Sequence, residues 1–356
     1  MKSQILTFSI ATLAFSAIIS CNSAKPFIPA DSDQIVVMGR TEARPDHSVA
    51  FNYPGVTAML RFDGPALEMQ ADPGSGYFMV EIDSLQPRKV MFGAQDSVLV
   101  VADSLPVGEH VARITYAVEG FEMNPAIRGF ALPQGGEFRQ APDRPLLKLE
   151  FIGNSITCGY GSEVDDPSKP FDYATENFTD TYAYRVARGL DADFNVVARS
   201  GIGVYRNYGD KREGSDSLTM PREYGRTMLY RPDTEWDFSS FQPDVVLINL
   251  GTNDTSEDNY DIVLFENAYD AFLSDVRAHN PEAKIVLLCG PLLNGKRLDD
   301  VTGVLDRLAE KHPGVSRFDF TPANGSLGYG ASWHPSRARH ARMADELLDH
   351  LHQMGL

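Results

Sequence analysis

From residue 146 onward, short apolar runs alternate with amphipathic stretches at helical spacing, a pattern that few folds accept. Strands are expected at 146–152, 194–198, 244–250, 284–289 and 315–320, with helices near 179–190, 260–279, 298–311 and 337–353. A strand followed by a helix returns the chain to the same end of the sheet. The expected architecture over 146–356 is therefore a three-layer α/β domain with a parallel sheet. The C-terminal ends of all its strands then open on one edge, where ligands of such sheets bind.

The first strand, Leu146-Leu147-Lys148-Leu149-Glu150-Phe151-Ile152, is broken by Gly153-Asn154, and Ser155 follows at once. A serine there has two readings. It could cap the next helix, a role serine fills well. It could also be a nucleophile whose Oγ sits at the mouth of the sheet, beside a helix N-terminus that favours developing negative charge.

Upstream the period is different. Short strands are expected at 35–39, 56–62, 77–82, 97–101 and 110–116, separated by turn sequences such as Asp63-Gly64-Pro65 and Asp72-Pro73-Gly74-Ser75-Gly76. Closely spaced strands without helical periodicity predict a β-sandwich over residues 34–133, of jelly-roll type. Residues 134–145, with Gly135-Gly136, Pro142 and Pro145, have the composition of a linker. At 356 residues the chain is long enough for these two domains. Residues 204–243 form a long irregular connection rich in Arg, Tyr, Gly and Pro, and a connection of that length inside a compact domain is usually functional.

The formal net charge of −17, with no Lys/Arg cluster, repels phosphate backbones. Nucleic acid is excluded as a partner and a neutral substrate is favoured. Met1-Lys2 and the apolar stretch Ile5–Ile19, followed by Ser20-Cys21, read as an export signal too short to span a bilayer permanently. Residues 22–33 then read as a tether. Cys158 and Cys289 could pair or remain as buried thiols.

Four segments of the α/β domain bear chemistry: Ser155 itself, Ser200-Gly201-Ile202-Gly203, Gly251-Thr252-Asn253-Asp254, and Gly330-Ala331-Ser332-Trp333-His334-Pro335. Three follow strands and the fourth opens the last helix, so all four can meet at one sheet edge. Acyl transfer needs a nucleophile, a base and oxyanion donors. Ser155 and His334 supply the first two. The N–H groups of Ser155 and Gly203 and the Asn253 amide are the candidate donors. Taken singly, Gly251 and Asn253 could form only a turn, the glycines a phosphate loop, and His334 a structural hydrogen bond. His312 and His340 lack zinc-ligand spacing, and no metal or cofactor is expected.

These four segments resemble the blocks of the SGNH (GDSL-like) hydrolases, with Gly153-Asn154-Ser155-Ile156-Thr157 in place of Gly-Asp-Ser-Leu. The resemblance implies a flavodoxin-like SGNH-hydrolase domain. Gly39-Arg40, Phe51–Ala58, Tyr77–Val80 and Gly328–Pro335 extend it to carbohydrate esterase family 2, whose members remove acetyl groups from xylan and glucomannan. It implies Ser155 as nucleophile, His334 as base, Ser155, Gly203 and Asn253 as the oxyanion hole, and Trp333 as a wall of the substrate cleft. An acetylated polysaccharide is the implied partner. Ala17-Ile18-Ile19-Ser20-Cys21 resembles a bacterial lipobox. That implies an exported lipoprotein of the cell envelope whose membrane contact is a lipid on Cys21.

One departure concerns the aspartate that many SGNH hydrolases carry three residues before the histidine. Here that position is Ala331. His334 must then be oriented by a main-chain carbonyl, by Ser332, or by a distant carboxylate such as Asp319. A lipid or thioester hydrolase, and a glycan-binding lipoprotein with a decayed hydrolase domain, are the alternatives in function.

Overall fold

The change of period near residue 146 marks the junction between two different packings. The computed structural model describes residues 25–356. In its N-terminal part, strands such as Leu67–Ala71 bury every second side chain: Leu67, Met69 and Ala71 face inward, while Glu68 and Gln70 stay half-buried. Alternation of that kind suits an antiparallel sheet with one wet face. Two six-stranded antiparallel sheets result, packed as a sandwich. Leu67 and Met69 from one sheet share a core with Leu60, Phe62, Phe78 and Ile114 from the other. Phe51 and Phe78 meet Tyr116 edge-on, with ring centroids 5.0 and 5.1 Å away.

The sandwich reaches beyond its expected ends. Phe27–Pro29, within the expected tether, is a strand paired with Ala126–Ala131. Glu137–Phe138, within the expected linker, pairs with Thr57–Asp63. Ile28 is buried in the sandwich core and Phe138 packs against it. Burial of apolar side chains outweighs a linker-like composition around them.

The second part is a five-stranded parallel sheet in the order Asp193–Ala198, Lys148–Gly153, Val245–Ile248, Lys284–Cys289, Val315–Asp319. Strand order reverses beside Lys148–Gly153, so the crevice of the sheet opens where Ser155 emerges. Both faces are covered. Val245 and Leu247 enter one core with helices Tyr182–Gly189 and Arg337–Gln353, and Val246 and Ile248 enter another with Ile262–His279 and Gly295–Lys311. Cys158 and Cys289 are free buried thiols in these two separate cores, on opposite faces of the sheet.

The two domains are locked together. Arg40 of the sandwich is fully buried and pairs with Glu150 at 3.0 Å. It also donates to the carbonyls of Tyr224 and Arg226, and its guanidinium lies 4.8 Å from the Trp236 ring. Glu150 accepts a second bond, 2.9 Å, from the Tyr224 hydroxyl. Met38 and Met59 of the sandwich belong to the same core as Leu149 and Phe151. Cys21 and the expected signal segment lie outside the described residues. Among the described residues no helix is long and apolar enough to cross a membrane.

Candidate active site

Gly153 ends the first strand and Asn154 caps the short helix Ser155–Cys158, its side chain accepting the Ile156 N–H at 3.0 Å. Asn154 therefore does the capping, and Ser155 occupies the first helical position with its hydroxyl free. That hydroxyl lies 2.9 Å from Nε2 of His334, across 179 positions of sequence. Nucleophile and base are within hydrogen-bond reach, as acyl transfer requires.

The opposite nitrogen of the imidazole is also held. Nδ1 lies 3.2 Å from both the Ala331 and the Ser332 carbonyl oxygens. Those carbonyls point at the ring because Ser332 and Trp333 take left-handed backbone conformations, φ 50° and 63°. Two consecutive non-glycine residues in that region store strain, which the surroundings must hold. The Lys169 carbonyl contributes, accepting the Ser332 N–H at 3.0 Å. Carbonyls accept but do not donate, so Nδ1 carries the proton and Nε2 is left as the base toward Ser155. Asp319 is engaged elsewhere, with Arg317 at 3.0 Å.

Tyr160 stacks on the imidazole, 3.9 Å between centroids. Burial pushes the His334 pKa down to about 4, against the opposing pull of the two carbonyls. The neutral, proton-accepting form therefore predominates at neutral pH.

Ser155, His334 and Asn253 line one cleft of about 420 Å³, with Tyr208, Tyr329 and Trp333 on its walls. Trp333 is 62 % exposed and meets Tyr329 edge-on at 5.3 Å. It is an exposed aromatic face rather than a core residue. A larger groove, about 740 Å³, runs between the sandwich and the helices Tyr182–Gly189 and Arg337–Gln353, and holds neither Ser155 nor His334.

Residues 151–353 match the GDSL-like Lipase/Acylhydrolase family, and residues 37–142 match the Carbohydrate esterase 2 N-terminal family. The chain belongs to carbohydrate esterase family 2 of the GDSL-like hydrolases. It is 30% identical over 365 residues to an acetylxylan esterase / glucomannan deacetylase of Cellvibrio japonicus, covering 98% of this chain and 99% of that protein. It is 32% identical over 325 residues to the cellulase/esterase CelE of Acetivibrio thermocellus, spanning 89% of this chain but 39% of that longer protein. A solved family two carbohydrate esterase from Clostridium thermocellum, in complex with cellohexaose, superposes with a TM-score of 0.83 at 33% identity, covering 90% of this chain and 99% of that one.

Within this family two hydrolase the expected oxyanion donors separate. The Asn253 side chain donates one N–H to the Ile202 carbonyl at 2.7 Å, and its second N–H remains available. Neither Gly201 nor Gly203 lines the cleft itself, and of the two it is Gly203 whose N–H is taken. Its N–H is given to Asn207 Oδ1 at 3.2 Å, and a Cβ there would lie 2.0 Å from the Arg206 carbonyl. Gly203 is glycine because the loop folds tightly upon itself at that point. Gly201, two residues earlier, is half-buried with φ +77°, and its N–H has no acceptor among the described residues. Its carbonyl is held by the N–H of Tyr208 at 2.8 Å, at the cleft wall.

Sequence reasoning also missed Asp254. This fully buried carboxylate accepts the N–H groups of Val204 and Tyr205 at 2.8 and 2.9 Å, and burial pushes its pKa up to about 6. Its backbone carbonyl takes Nε of the fully buried Arg206 at 2.8 Å. Asp254 thus shapes the loop that follows Gly203. Its position directly after Asn253 was the available signal.

Proposed function

We propose that the protein is a carbohydrate O-acetylesterase acting on plant-wall polysaccharide of the xylan or glucomannan type. The observation that carries this reading is the Ser155–His334 pair at 2.9 Å, its base oriented from behind by two main-chain carbonyls. The relative named acetylxylan esterase / glucomannan deacetylase, similar over its whole length, supports the substrate class.

His334 Nε2 accepts the Ser155 proton as Oγ attacks the acetyl carbonyl carbon. The carbonyl oxygen becomes an oxyanion, met by the Ser155 N–H, the free Asn253 N–H and the Gly201 N–H in place of that of Gly203. Collapse expels the sugar oxygen, which takes the proton from His334 and leaves acetyl-Ser155. Water, deprotonated by His334, attacks the ester, acetate departs, and the proton returns to Oγ. The neutral carbonyls behind Nδ1 set the tautomer without adding a charge to the site.

A decayed, binding-only domain is disfavoured, since the missing acid at 331 is replaced by carbonyls. A long-chain lipid hydrolase is disfavoured by polar residues in the cleft, among them Asn294, Arg297 and Ser256. Export, with Cys21 as a lipid anchor, remains part of the proposal and rests on the lipobox-like sequence alone. Acetate release from acetylated xylan and glucomannan, compared with octanoyl ester hydrolysis, tests the function. Acetate release lost in Ser155→Ala supports it, and octanoyl preference contradicts it.

A further inference from the structure

Beneath the oxyanion loop lies a buried carboxylate that comes from the other domain. Glu119 follows the sandwich strand Glu109–Tyr116 and is 2 % exposed. Its neighbours fix it to the sandwich: Ala117 N–H donates to the Tyr77 carbonyl and Gly120 N–H to the Asn52 carbonyl, each at 2.9 Å. Its side chain crosses the domain junction and takes Ser200 with both oxygens, Oε1 from the backbone N–H and Oε2 from the hydroxyl, each at 2.5 Å.

We propose that Glu119 is a positioning residue for the hydrolase reaction, holding Ser200 so that the next N–H, that of Gly201, faces the reacting ester. The inference rests on the acetylesterase reading and assigns the sandwich domain a part in it. The peptide joining Ser200 to Gly201 is planar and trans, so its carbonyl and its N–H point in opposite directions. Arg199 Nη1 donates to that carbonyl at 3.2 Å. Glu119 fixes the residue before the peptide, Arg199 fixes its carbonyl, and the Gly201 N–H is left unpartnered on the other side. Two bonds to adjacent groups of one serine set orientation as well as distance. Without them, Ser200-Gly201 is a glycine-containing loop free to rotate the peptide.

Glu176 lies against Glu119, with its Oε2 accepting the Glu119 N–H at 3.1 Å. Burial and the Glu119 charge hold the Glu176 carboxyl well above the ordinary carboxylate range; burial raises Glu119 as well, against the opposing pull of its two Ser200 bonds. Cys158 completes a buried trio whose potential ligand atoms lie within 4.8 Å of one another. Both Glu119 oxygens accept from Ser200, and these are the contacts that give this carboxylate a positioning task.

The test compares wild type, Glu119→Ala, Ser200→Ala and the double variant on 4-nitrophenyl acetate, with kcat, KM and thermal melting recorded. An alanine offers no acceptor to either Ser200 group, so Glu119→Ala should lower kcat about ten- to a hundredfold, short of the ~10²–10³ for deleting a donor outright. KM should stay within about twofold, because the loop acts on the transition state rather than on ground-state binding. Ser200→Ala removes the hydroxyl half of the contact from the half-buried side and should also lower kcat, by less, with the double variant no worse than the lower single variant. Wild-type kcat in a folded Glu119→Ala, or in Ser200→Ala should Glu119→Ala fail to fold, overturns the inference. So does a rise in KM with kcat unchanged. An inactive wild-type enzyme would instead remove the acetylesterase reading, and the inference with it.

Discussion

The Ala331 carbonyl oxygen lies 3.2 Å from Nδ1 of His334, the place where many serine hydrolases set a carboxylate. A carbonyl orients the ring but adds no negative charge to stabilise its protonated form. Burial is then unopposed by a counter-ion and pushes the pKa to about 4, below the ordinary 6.5. Since the neutral ring is the base, activity is lost as pH falls through this value. The acid limb of kcat/KM for acetyl esters should have its midpoint clearly below pH 6.5, and a midpoint at or above 6.5 contradicts the assignment.

Restoring the acid should fail. Ala331 is fully buried, and its Cβ lies so close to Gly161 that a Cβ on that glycine would meet it at 2.4 Å. A carboxylate at 331 would be buried without a partner and would disturb the carbonyls that hold the ring. Ala331→Asp should reduce both the melting temperature and kcat. A gain in kcat would show that a carboxylate can be accommodated behind His334.

Gly203 and Asn253 should separate in their effects. Gly203→Ala drives a Cβ into the Arg206 carbonyl and Asp254, so thermal melting should register a loss of stability. Asn253→Ala should leave the melt less affected and lower kcat by about 10²–10³ through loss of an oxyanion donor. Equal effects of the two on kcat with unchanged melting would return Gly203 to the oxyanion hole.

Arg40 and Glu150 are a buried pair across the domain junction, 3.0 Å apart. Removing one partner of such a pair typically costs about 3–5 kcal/mol, because the other charge stays buried and unpaired. Arg40→Met should lower denaturant stability by that order. A change below about 1 kcal/mol, the range of exposed pairs, would mean that water reaches Glu150.

Trp333 is mostly exposed on the cleft wall, where a bound polysaccharide chain would meet its indole face. Trp333→Ala should raise KM for acetylated xylan far more than KM for 4-nitrophenyl acetate, which is too small to reach along the wall. Equal increases would indicate that the residue acts by supporting the strained turn before His334.

Ser155 and His334 were legible in the sequence because each sits at a boundary that hydrophobic periodicity reveals, a strand end and a helix start. Parallel strands then force such boundaries onto one edge. The sheet was legible for the same reason. The assignment among Gly201 and Gly203 was not, since spacing shows two glycines and says nothing about which N–H is already bonded. The carbonyl support of His334 was equally hidden, because it depends on Ser332 and Trp333 adopting a conformation that their residue types disfavour. Glu119 was out of reach altogether: 81 positions and a domain boundary separate it from Ser200.

The most direct test is to quench the enzyme during turnover of 4-nitrophenyl acetate and map its peptides by mass. One acetyl group on the peptide containing Ser155, absent when His334 or Ser155 is replaced by alanine, is the predicted result. Undiminished hydrolysis by Ser155→Ala, or acetyl carried on another residue, would contradict it.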